Sequence, residues 1–298
     1  MTELFENVLV FRFPELHPGA RLLVDFTRTL RVPGDGRKHP RPPGLGRFSL
    51  HPVDDHAASV SPAWREHGGV MLPVRPSEAL CLRFYSQPLD GSGAPYPFAV
   101  KVATGKVNAV TGGDWDENMR EGLQDYLVVP PQVDIYGYCT SRGEIRQFVA
   151  SPLGLGETLE ERLAGRSLVG GVQIAVYPMK ASVFERIFPG DAPAARGGRV
   201  REPAPSYVTE MGVSPGSPLR QHLFRDPHGP EAWDAESRSR IFIHMAKASE
   251  WLAATGEEPH GAAPTAREYE KAGLPWLDEY AGERTLSGSE ALASASGE

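Results

Sequence analysis

The sequence predicts an α+β fold rich in β-structure, with a sandwich-like antiparallel sheet core and several short helices, and three observations lead to it. The 298 residues include 32 Gly and 28 Pro, about a fifth of the chain, a share that favours many short strands joined by turns over long helices. The apolar runs are short, and several alternate with polar residues, the period of a strand with one buried face. Residues 144–180, EIRQFVASPLGLGETLEERLAGRSLVGGVQIAVYPMK, read as a complete strand, short helix, strand unit. In it Glu144 to Ala150 form a strand and Pro152 to Gly156 a turn. Thr158 and Glu161 have the spacing of a capping box. A short helix ends near Gly165, and Gly170 and Gly171 reset the backbone for a strand from Val172 to Tyr177.

From the N-terminus, Phe5 to Phe13 and Arg21 to Val32 read as two strands paired as a hairpin across a Pro14 to Gly19 turn. Pro40 to Gly46 form a Pro/Gly loop whose backbone does not suit a central strand. Ser61 as N-cap, Pro62 at N1 and Gly68 after the last turn define a short helix. Strand character returns at Gly69 to Val74, Glu78 to Tyr85, Phe98 to Ala103, Lys106 to Val110, Tyr126 to Val129 and Val133 to Cys139, with Thr104 and Gly105 as a hairpin turn. Ser182 with Glu185 is a second capping box. Beyond it Leu219 to Phe224 and Arg240 to Ala246 read as strands, Lys247 to Thr255 as a helix stopped by Gly256, and Pro264, Thr265 and Glu268 as the start of another that Gly273 ends.

This gives a β-rich main domain over 1–189, a linker or mobile loop over 190–206, a smaller α+β segment over 207–282 docked on the main domain through Leu274, Pro275, Trp276 and Tyr280, and a disordered Ser/Ala/Gly tail over 283–298. A 40% hydrophobic share supports a real core. No apolar run approaches a membrane span, and Glu3 and Glu6 stand where a secretion signal carries positive charge, so a soluble, cytoplasmic protein is expected. Cys81 and Cys139 lie in strand-like runs without a second pair, which points to buried free thiols and to no zinc site.

Charge is unevenly spread. Residues 231–298 carry a net of -7, equal to that of the whole chain. Between Arg21 and Arg47 the positions Arg21, Arg28, Arg31, Arg37, Lys38, Arg41 and Arg47 face only Asp25 and Asp35. Such a cluster recognises an acidic small molecule or protein surface, or else pairs with the acidic C-terminal segment of its own chain. The pI of 5.8 argues against nucleic acid.

Seven blocks, FTRTLRVPGDGR (26–37), PPGLGRFSL (42–50), HGGVMLP (67–73), AVKVATGKVNAVTG (99–112), IRQFVASPLG (145–154), GGVQIAVYP (170–178) and GLPWLDEY (273–280), make the chain resemble a family of uncharacterised bacterial proteins of about this length. The resemblance implies one coherent architecture up to Tyr280. It carries over no activity, cofactor or catalytic residue.

The motifs that carry chemistry are incomplete. Gly154-Leu155-Gly156 lies between a strand and a helix, but Leu159 takes the place of the third glycine of a dinucleotide fingerprint. Ser151 lacks a nucleophile elbow, and Thr104-Gly105-Lys106 lacks the spacer of a P-loop. His51, Asp54, Asp55 and His56, with His67 as a further candidate, concentrate imidazoles and carboxylates without a metal-ligand spacing. His244 reads as a satisfied strand histidine, and Trp115 as a packing residue with sugar stacking as its alternative. No cofactor or metal is implied.

The leading expectation is a non-catalytic binding or assembly protein that recognises an acidic ligand or partner through Arg28, Arg31, Arg37, Arg41 and Arg47 and that can form a homo-oligomer. The first alternative is a metal-assisted hydrolase or isomerase using His51, Asp54, Asp55 and His56. The second is a structural component of a larger particle.

Overall fold

The computed structural model describes residues 1–89, 93–165, 169–189, 211–276 and 285–296. In chain order the elements begin with β1 (Thr2–Phe5), β2 (Val8–Arg12), β3 (Arg21–Leu30), β4 (Gly44–Arg47), β5 (His51–Pro52), a 3₁₀ turn Asp54–His56 and α1 (Pro62–His67). The middle of the chain forms β6 (Val70–Val74), β7 (Glu78–Ser86), β8 (Phe98–Thr104), β9 (Val107–Asn108), β10 (Leu127–Val129), β11 (Asp134–Ile135), β12 (Gly137–Ser141), β13 (Glu144–Pro152), α2 (Leu159–Ala164), β14 (Val172–Pro178) and α3 (Ala181–Ile187). Then follow β15 (Met211–Leu219), a second 3₁₀ turn Pro230–Ala232, β16 (Ser239–Lys247), α4 (Ala248–Thr255), α5 (Ala266–Lys271) and α6 (Glu290–Ser296). The β-rich α+β class read from the sequence is the class observed. No helix among the described residues is long and apolar enough to cross a membrane.

The strands follow the path β1-β2-β3-β7-β13-β15-β16-β14-β8-β10, almost wholly antiparallel. Among the described strand pairs only β16–β6 is parallel, and an isolated bridge between His39 and Leu219 is parallel as well. At the middle of the path β15 and β16 touch through one residue pair, Met211 and Met245, so the path divides into two halves. Leu22, Val24, Phe26, Leu80, Leu82 and Phe84 of one half share a single buried core with Val100, Val102, Ile174, Val176 and Ile243 of the other. Two faces burying each other's alternate residues make the arrangement sandwich-like.

The unit over 144–180 forms as expected. Thr158 and Glu161 make a reciprocal capping box at α2, and Gly165 ends that helix in the left-handed conformation. The two strands do not pair, however, because β15 and β16 lie between them. Both faces of β14 are buried, since the Gln173 side chain donates to the Gly105 carbonyl from an otherwise apolar interior.

Several expectations need correction. Phe5 to Phe13 is two strands, because Glu6 and Asn7 both take positive φ and close a two-residue hairpin turn; Asn tolerates that conformation, and its Oδ1 also accepts from Leu50 N at 2.8 Å. The β8–β9 hairpin turns at Gly105 and Lys106 rather than Thr104 and Gly105, since Thr104 pairs with Val107. Ser182 caps nothing, as α3 begins one residue earlier, after Lys180.

Met211 to Leu219 is a strand although it holds Pro215 and Pro218. β13 pairs with it along its length, with a register irregularity between Arg146 and Phe148 where the two prolines sit, while its other edge meets β16 only at Met211; prolines are tolerated at such irregular, one-sided positions. With β15 and β16 central to the path, the C-terminal part of the chain is built into the sheet instead of docking beside it. The linker expected at 190–206 and the anchor Tyr280 lie outside the described residues. The final segment, read as disordered, contains α6, whose Leu292 is fully buried beside Gly112.

Close strand approach fixes one glycine. A Cβ on Gly137 would lie 1.9 Å from the Arg146 carbonyl oxygen, so Gly137→Ala must push β12 away from β13. Urea denaturation is expected to show a loss of about 3 kcal/mol or more for Gly137→Ala. Gly46→Ala, at φ +98 with nothing within 4 Å, should lose about 1 kcal/mol from backbone strain alone. Equal losses would show that β12 and β13 are not in this register.

Candidate functional site

The outward face of β3 and β7 carries a row of charges set by strand register. Asp25 on β3 sits opposite Arg83 on β7, which sits opposite Asp134 on β11. The arginine-bearing loop folds across this row and is consumed by it. Arg47 reaches Asp25 Oδ2 at 3.3 Å, and Arg41 reaches Asp134 Oδ1 at 3.0 Å while its guanidinium lies 5.5 Å from the centre of the Tyr136 ring. Arg37 is exposed, with Asp35 at 4.0 Å. Lys38 pairs with Glu144 at 2.7 Å.

Arg28 goes furthest inward. Its Nε and Nη2 donate to Glu78 Oε1 at 3.0 and 2.6 Å, its Nη1 to the Leu45 carbonyl at 3.4 Å, and its Nη2 also to the Gly261 carbonyl at 2.6 Å. The basic cluster therefore does reach the C-terminal segment, but through backbone carbonyls; the carboxylates it pairs with, Asp25, Asp35, Glu78, Asp134 and Glu144, all lie outside that segment. Arg75 donates to the carbonyls of His260 and Pro259 at 3.0 and 3.4 Å, and Ser77 Oγ to that of Ala263 at 3.2 Å. These bonds hold residues 257–276 as a strap along the sheet end. Tyr269 and Trp276 pack edge to face, close to Leu30 and Ala263.

Between the strap and the end of β3 lies a cleft of about 460 Å³ lined by Arg31, Val32, Pro33, Gly34, Pro76, Ser77, Thr265, Ala266 and Arg267. Of the five arginines selected from the sequence, Arg31 alone lines it. Arg267 joins from the first turn of α5, where the Thr265 and Glu268 capping box fixes the backbone. Neither guanidinium has an ionic or hydrogen-bonding partner among the described residues, and no carboxylate lines the cleft. Nothing in the sequence linked Arg267 to Arg31 across more than 200 positions.

The histidine and aspartate run does not converge. His51 is on β5, Asp54 is exposed, Asp55 is buried, and the His56 Nε2 lies 2.9 Å from His51 Nδ1. His51 Nε2 lies 3.2 Å from Glu257 at the start of the strap, and Trp251 meets the His51 ring edge-on at 4.7 Å. Burial first, and then the facing His51 ring, lower the pKa of His56. Among the described residues no three His, Cys, Asp or Glu side chains come together as metal ligands would. The metal-assisted reading thus lacks a donor set there.

Other candidates have structural partners. His67 Nδ1 lies 2.7 Å from the Ala63 carbonyl, within its own helix. His244 stacks on Trp64 and donates to the Gly68 carbonyl at 2.9 Å. Lys101, fully buried, gives its three N–H donors to Asp125 Oδ2 and the carbonyls of Asp116 and Asn118 at 2.8, 3.0 and 2.5 Å, which ties down the loop over it. Trp115 packs half-buried against the main core. Cys81 and Cys139 are free and buried, and burial pushes the Cys139 thiol up to about 12.

No protein family, curated protein or solved structure matches the chain.

His244 supplies a pH test. Burial lowers its pKa to about 4, against the partial opposing pull of the Gly68 carbonyl. A folded value below the unfolded one, about 6.5, gives stability that is complete above pH 6.5 and lost as pH falls towards 4. Between pH 7.5 and 5, urea denaturation should show the natural chain losing about 2 kcal/mol more than His244→Gln. Parallel losses would mean that the imidazole titrates normally in the folded state.

Proposed function

We propose that this is a non-catalytic binding protein that captures an anionic ligand between Arg31 and Arg267. One observation carries the reading: two guanidinium groups without ionic partners among the described residues line one cleft, in a molecule that neutralises Arg28, Arg41 and Arg47 internally. Planar guanidinium forks match carboxylate and phosphate oxygens bidentately. The cleft lies at one end of the sheet, and its walls are held by the backbone bonds of Arg28, Arg75 and Ser77, so the site is formed before a ligand arrives. The expectation of an arginine-rich recognition loop is thereby narrowed to Arg31 and completed by a residue outside that loop. Arg41 and Arg47 hold the loop on the sheet, and Arg28 holds the strap.

Calorimetric titration with octanoate and with inorganic phosphate tests this. Arg31→Gln and Arg267→Gln should each weaken the anion that binds by about tenfold, the scale of one charge-assisted hydrogen bond. Arg37→Gln, an exposed change at the loop tip, should leave affinity unaltered. Absence of anion binding, or binding indifferent to both substitutions, would remove the reading.

A further inference from the structure

We infer that the ligand is a small organic carboxylate with an apolar body, rather than an inorganic anion, a sugar phosphate or a phosphodiester backbone. This rests on Arg31 and Arg267 being the anion-binding pair and concerns what occupies the rest of the cleft. The side-chain hydroxyl donors around that pair are already engaged. Ser77 Oγ donates to the Ala263 carbonyl at 3.2 Å and Thr265 Oγ1 to Glu268 Oε2 at 2.8 Å. Arg31 N donates to the Ser77 carbonyl at 3.1 Å, and Val32 N to Gln147 Oε1 at 3.1 Å. The two guanidinium groups are thus the only lining side chains with N–H or O–H donors to spare. Two forks suffice for a carboxylate. Beyond them the lining offers backbone N–H groups, such as those of Ala266 and Arg267 in the first turn of α5, and no further free side-chain donor, so the hydroxyls of a sugar phosphate would find few protein partners.

The remaining surface is carbon. Val32, Pro33, Pro76 and Ala266 supply the apolar wall, and the two proline rings present it with φ already fixed. A volume of about 460 Å³ falls in the range that takes an organic molecule, and an inorganic phosphate would fill only a small part of it. Two guanidinium groups beside an otherwise largely apolar wall are the complement of an amphipathic acid, held by its carboxylate with its chain lying along that wall.

The test is calorimetry on the full chain with acetate, butanoate, hexanoate, octanoate and phosphate at equal ionic strength. Affinity should rise with each added methylene, by up to about fourfold where the group is fully covered, and phosphate should bind at least tenfold more weakly than octanoate. Pro76→Asp, at an exposed wall position, should weaken octanoate by tenfold or more and acetate much less. Phosphate and acetate binding as tightly as octanoate, with all three lost in Arg31→Gln and Arg267→Gln, would overturn the inference and leave the anion site standing. If no anion binds, or if octanoate binding survives both arginine substitutions, the site and this inference fall together.

Discussion

A buried guanidinium joins the three parts of the molecule that make the cleft. Arg28 projects from β3 to Glu78 on the neighbouring strand, to the carbonyl of Leu45 in the folded-over loop and to the carbonyl of Gly261 in the strap. Its side chain is 9% exposed and that of Glu78 4%. Taking two charges out of water costs several kcal/mol each, and only multiple well-aligned partners recover it, so such a pair adds little net stability while specifying where its partners must sit. Here one group sets both the fold of the loop and the path of a segment more than 200 residues later in the chain.

The surrounding charges follow the same logic. Strand pairing places Asp25, Arg83 and Asp134 side by side on one face, and a row of alternating charge needs a lid that ends its two edges. Arg47 and Arg41 provide it. A cationic segment that looks like a recognition surface in the sequence is therefore largely an internal electrostatic lid, and Arg31 is the arginine of that set that lines the cleft instead.

Much of the local structure was legible because it is written in short-range chemistry. The Thr158–Glu161 and Thr265–Glu268 capping boxes, the Ser61–Pro62 helix start and the Gly165 and Gly256 stops all depend on residues within one turn of each other. The path of the strands was not legible, because β14 finds β16 and β8 through residues some 70 positions away on either side. β15 was missed because Pro215 and Pro218 argue against a central strand unless one edge is known to be nearly unpaired. α6 was missed because Glu290 to Ser296 contains one large apolar residue, and its burial depends on the surface that Gly112 and β12 present. At the candidate site, Arg31 was found through charge density. Arg267 carried no signal, since what matters is that Ser77, Arg75 and Arg28 bring its segment alongside β3.

The most direct measurement of this account is amide hydrogen exchange on a variant carrying both Arg28→Gln and Glu78→Gln, which removes the buried charges together and strands neither. If Arg28 pins the strap, protection across 257–272 should fall by tenfold or more while the β8 and β14 amides exchange as in the natural chain. Unchanged protection of 257–272 would contradict the account, because the strap and the cleft wall would then be held by something other than this guanidinium.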